Sequence, residues 1–126
     1  MANSFRQIWW LGAIALASLG AKTDTPSSQE AYRTIVSKLE IRETGNLMFA
    51  RYNGANLQVL EEFLEQYKSG IEHEKVLYLR AHTIWSLHRY DQASAAYAEY
   101  IKHYPEGRIT RISRLRQGAA YMFSMQ

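Results

Sequence analysis

The sequence predicts an all-α fold: a short stack of about five helices behind an N-terminal apolar segment. Three observations carry that expectation. Apolar residues recur at steps of three and four along most of the chain, the mark of helices buried on one face. No segment sustains the two-residue alternation of a half-buried strand, so strands are not expected. The chain also resembles itself when shifted by 37 residues, a period typical of stacked helix pairs.

The chain begins with a different material from the rest. Residues 8–21 read IWWLGAIALASLGA, without a charge, after a basic Arg6. Small residues close the run, and a polar stretch with Pro26 follows. That layout fits a secretory signal, with cuts after Ala17 or Gly20. It fits a retained membrane anchor as well, with Trp9 and Trp10 at the interface. Fourteen helical residues span only about 21 Å of a hydrocarbon core about 30 Å thick. Both readings stay open. The domain expectation is therefore signal or anchor over 1–21, linker over 22–28, and a helical repeat domain over 29–126. The protein is expected to be exported, to a periplasm or equivalent lumen, or anchored in the membrane by this segment.

Helix signals then arrive in order. Ser27 and Glu30 stand three apart as a capping box. Tyr32, Ile35, Val36, Leu39 and Ile41 give the first amphipathic face, weakened at Gly45 and ended by Asn53-Gly54. Leu57, Leu60, Phe63, Leu64 and Tyr67 give the second, closed by Ser69-Gly70. Ser69 with Glu72 is a second capping-box candidate, opening a helix through Val76, Leu79, Ala81, Ile84 and Leu87. The fourth starts near Asp91 and ends at Tyr104-Pro105, and the fifth runs from about Thr110.

The 37-residue shift lays Phe63-Leu64-Glu65-Gln66-Tyr67 on Tyr100-Ile101-Lys102-His103-Tyr104, and Gly70 on Gly107. One helix pair cannot bury its apolar face alone, so neighbours must stack. Leu77, Ala81, Ile84, Tyr90, Ala93, Tyr97 and Pro105 alternate large, small and aromatic residues before a closing proline. Over residues 77–105 this pattern resembles the tetratricopeptide repeat (TPR), and Tyr90-Asp91-Gln92-Ala93 through Tyr104-Pro105 is similar to repeats of exported bacterial TPR proteins. Departures are plain. Arg80 stands where the repeat places leucine, Asn56 lies opposite Ala93, and the period is 37 instead of the usual 34. The third repeat has its first helix only. The resemblance implies a concave groove lined by each repeat's first helix, here through Lys75, Tyr78, His82, Trp85 and Arg89. Their steps of three and four share one helical face, and an aromatic pair framed by cations suits a protein interface. The competing reading puts Trp85 and Tyr78 in the core.

Composition excludes several classes. At 126 residues, 47% hydrophobic and 21% charged, the chain fits one ordinary domain. Zero cysteines remove disulfides, thiolate metal sites, cysteine nucleophiles and a lipid anchor on cysteine. His82 and His88 stand six apart and His73 and His82 nine, not the three or four of a helical metal pair. Glu61, Glu62 and Glu65 read as a solvated face, and no phosphate-cradling loop or GxSxG motif is present. No catalytic residue, metal or cofactor is expected. A net charge of +3 does not call for nucleic acid. The charge is uneven: after Arg108 come Arg111, Arg114 and Arg116, without an acid. Arg108, Arg111 and Arg114 step by three into a basic ridge, read as solubility cover, as contact for an acidic partner or another copy, or as contact for anionic lipid. Ile109, Ile112, Leu115, Ala119, Tyr121, Met122 and Phe123 leave the last helix apolar where a polar cap is usual. The expected function is a non-catalytic scaffold or adaptor in a cell-envelope or membrane-associated assembly. Alternatives are an accessory subunit of a larger membrane complex, held by an uncleaved N-terminal helix, and a self-assembling structural protein.

Overall fold

The computed structural model describes residues 25–44, 47–49 and 53–126; Trp9, Trp10 and the whole signal-or-anchor segment lie outside them. The described residues are mostly helical. In order they form α1 (Ser28–Lys38), β1 (Arg42–Thr44), β2 (Leu47–Phe49), α2 (Gly54–Gln66), α3 (Ile71–Ser86), α4 (Tyr90–His103) and α5 (Thr110–Ser124). Each helix from α2 to α5 packs on the next, and α1 touches both α2 and α3. One continuous core runs through the stack, with Ile35, Leu60, Phe63, Leu79, Tyr97 and Tyr100 almost wholly enclosed.

The helix ends explain the order. Ser27 caps α1 through the full box: its hydroxyl accepts from Glu30 N–H, while the Glu30 carboxylate accepts from Ser27 N–H. Asn53 caps α2 by accepting from Asn56 N–H at 2.9 Å. The box expected at Ser69 and Glu72 does not form. Gly70 is the cap residue instead, at φ 103, without a side-chain bond.

The C-terminal ends alternate. At α1 the chain turns through Glu40 at φ 53, and Ile41 N–H donates back to Val36 C=O at 3.0 Å. At α3 it turns through His88 at φ 60, and Arg89 N–H donates back to Ile84 C=O. Both are left-handed caps of the Schellman kind. Helices α2 and α4 end otherwise, on Tyr67 and Tyr104. The Tyr67 hydroxyl donates to Pro26 C=O just before α1, and the Tyr104 hydroxyl to Gly70 C=O just before α3. A tyrosine closing the second helix thus ties down the start of the first, twice; the tyrosines stand 37 residues apart and the carbonyls they bind 44.

The first helix is shorter than its apolar spacing predicts, and residues expected to continue it form the antiparallel ribbon β1–β2, paired Arg42 with Phe49 and Thr44 with Leu47. Three-residue strands are too short to show alternation. The available signal was Gly45-Asn46 between them, a two-residue hairpin composition. Glu43 fastens the ribbon to the helices. Its carboxylate accepts from the Tyr32 hydroxyl at 2.7 Å and from Lys75 Nζ at 2.9 Å. Burial pushes this carboxyl up, but the bonds from Lys75 and Tyr32 outweigh it and hold it below its usual range.

Candidate functional site

The stripe on α3 is real as a helical face but does not form an open groove. Tyr78 is only 1% exposed. Its ring stacks on His82 and meets Tyr97 and Tyr100 at 6.2 and 6.3 Å between centroids. The groove assignment of Tyr78 is therefore corrected to core, because α4 covers the position. Lys75 is engaged by Glu43 and lies over the Tyr32 ring at 5.4 Å. His82 is turned toward α5: an Arg116 N–H donates to its Nδ1 at 2.8 Å, and the Tyr97 hydroxyl stands 3.0 Å from the same nitrogen. Burial and the neighbouring guanidinium push His82 down to about 4, so the ring is neutral, with Nδ1 accepting. Trp85 is half-buried and meets Tyr90 and Phe123 edge-on. Arg89 alone of the five stays exposed.

The four arginines also divide. Arg108, Arg111 and Arg114 are exposed, while Arg116 is half-buried against His82. With Pro105, Glu106 and Thr110, Arg111, Arg114 and Leu115 line a shallow cleft of about 530 Å³ at the start of α5.

Helix α5 has an inverted arrangement of size. Its buried residues are small: Thr110, Ser113 and Ala120. Most of its large apolar ones face out: Leu115 is 70% exposed, Tyr121 60%, Met122 65% and Met125, just past its end, 67%, while Ile112 packs against the core. Small inner residues let α5 settle closely on α4. Leu115, Tyr121, Met122 and Met125 thus leave a set of exposed apolar side chains bordered by Arg111 and Arg114. The sequence had flagged this end as apolar, but not that the small residues take the inside.

Two features escaped the sequence altogether. Glu74 receives the Tyr100 hydroxyl at 2.9 Å and Arg108 N–H at 2.8 Å, and Ile109 N–H donates to the same Tyr100 oxygen. Burial and Glu74 push Tyr100 up to about 12. His73, buried under α4, meets the Tyr104 hydroxyl and lies 5.9 Å from the His103 ring. Burial, then the His103 charge, lowers it. Near it a groove of about 390 Å³ between α2 and α4 carries Glu61, Glu65, Arg80 and Glu99, with Arg80 and Glu99 paired at 3.3 Å.

Among the described residues, no three His, Asp or Glu side chains gather to hold a metal ion, and no helix is long and apolar enough to cross a membrane. Fold and site together define a mostly helical stack whose last described helix offers an open face, basic at one end and apolar at the other. No family model, curated protein or solved structure matches the chain.

Proposed function

We propose that the protein is a non-catalytic, TPR-like adaptor or scaffold that holds another protein in an envelope or membrane-associated assembly. The outer face of α5 carries this reading, since Leu115, Met122 and Met125 are each about two-thirds exposed and sit beside Arg111 and Arg114. Methionines adapt to varied surfaces, and arginines grip carboxylates. The tyrosine-closed ends of α2 and α4, 37 residues apart, support the repeat reading. A photo-activated cross-linker at Met122 in the native host should give a covalent protein adduct, whereas one at the exposed Ser37 of α1 should not. Equal or no labelling at the two positions sinks the proposal.

A second reading, an accessory subunit held in a bilayer by an uncleaved N-terminal helix, is favoured by the charge-free run over residues 8–21. Mass spectrometry of the native N-terminus separates the two. A start near Ser18 or Ala21 supports the exported adaptor, and an intact start supports the anchored subunit.

A further inference from the structure

We infer that the occupant of the α5 face is a second copy of this chain, its α5 lying antiparallel across the first and crossing at Gly118. The inference rests on the reading of α5 as the partner-binding face and names the partner.

The seam has the spacing such pairing needs. Arg111, Leu115, Gly118, Met122 and Met125 step by four, three, four and three, the repeat that keeps one stripe facing a partner helix. Gly118 lies at its centre. Glycine weakens a helix interior, and among the described residues no atom outside its own helix backbone lies within 4 Å of where its Cβ would stand. Across a two-fold crossing that missing side chain lets two backbones approach.

Area and charge agree. Leu115, Tyr121, Met122 and Met125 together expose on the order of 500 Å², so two copies hide at most about 1,000 Å² here, and the arginine stems must bring the pair to the roughly 1,200 Å² of a stable interface. The charges of α5 suit an antiparallel neighbour better than they suit α5. It has no acid in its first turn and no base in its last, and its arginines stand at the end where a helix carries partial positive charge. Crossing at Gly118 brings Arg111 of one copy beside Met125 of the other, at the carbonyl end that favours cations. The two Arg111 side chains stand about 21 Å apart, far beyond the screening length of about 8 Å at physiological salt.

The absence of native cysteine makes the arrangement directly readable, because one introduced thiol is the only thiol. The full chain in mild detergent is expected to sediment as a dimer. A Gly118→Cys variant should oxidise to a disulfide-linked pair. Arg111→Cys and Met125→Cys should not link to themselves, but a mixture of the two should. Leu115→Glu with Met122→Glu should give a monomer with unchanged circular dichroism. Self-linking of Arg111→Cys, a dimer that survives the double glutamate variant, or a monomer at high micromolar concentration overturns the inference. A monomer whose Met122 cross-links a different protein overturns the second copy and leaves the adaptor reading standing. A monomer without any adduct overturns both.

Discussion

Gly107 shows how tightly single residues hold the α4–α5 corner. A Cβ there would stand 2.6 Å from the Tyr100 hydroxyl, 2.7 Å from a Glu74 carboxylate oxygen and 2.9 Å from Tyr104 Cβ. The first two are the groups that bind the Ile109 and Arg108 amides, so neither can retreat without losing a hydrogen bond. Gly107→Ala should lower stability by about 1–3 kcal/mol, read as an earlier urea midpoint by circular dichroism; an unchanged midpoint refutes the close approach. Gly70 and Gly107 coincide at the 37-residue shift, yet they serve different ends. Gly70 is needed for its φ of 103, and Gly107 for the space its neighbours occupy. Tyr78 and His82 teach the same lesson at the candidate site. Their spacing announced a shared face, whereas what covers that face depends on Tyr97, Tyr100 and Arg116, 15 to 38 residues further along.

Helices were legible where the signal was local. Apolar periodicity located all five, and the Ser27 box was read correctly because its partners are three residues apart. Ends that depend on a rare backbone conformation were not. Nothing in a glutamate or histidine announces φ near 55°, yet Glu40 stops α1 and His88 stops α3 in that region. Residues with a Cβ meet a carbonyl oxygen there, a cost of roughly 1–2 kcal/mol. His88→Gly removes it. The histidine is exposed, and its contact to the Tyr90 hydroxyl is a surface one. A net gain of about 0.5–1 kcal/mol should follow, part of the relief being offset by the greater freedom of glycine in the unfolded chain. Thermal unfolding checks this, and a lower midpoint would show that the His88–Tyr90 contact outweighs the strain.

Across the whole molecule, the stack encloses groups that ionise near neutrality, and this gives it a pH signature. His82 sits where α3, α4 and α5 meet, accepting from Arg116 and adjoining Tyr97 and Tyr78. Protonating Nδ1 would remove the acceptor and set an imidazolium beside a guanidinium. Its value falls from an ordinary 6.5 to about 4 on folding, so between those limits the unfolded chain binds more protons. Stability is then full above about 6.5, declines as pH falls toward 4, and loses nothing further from this group below that. His73 is lowered too and acts in the same direction. Glu43, held below its usual range, matters only in more acidic solution, which leaves the interval from about 6.5 to 4.5 to the histidines. Linkage sets the loss from His82 at about 2 kcal/mol near pH 5. The urea midpoint should therefore fall between about pH 7.5 and pH 5, and a His82→Gln variant should flatten most of that slope. A wild-type midpoint constant over the interval would mean that His82 is open to water, and that α5 does not close on α3 through Arg116.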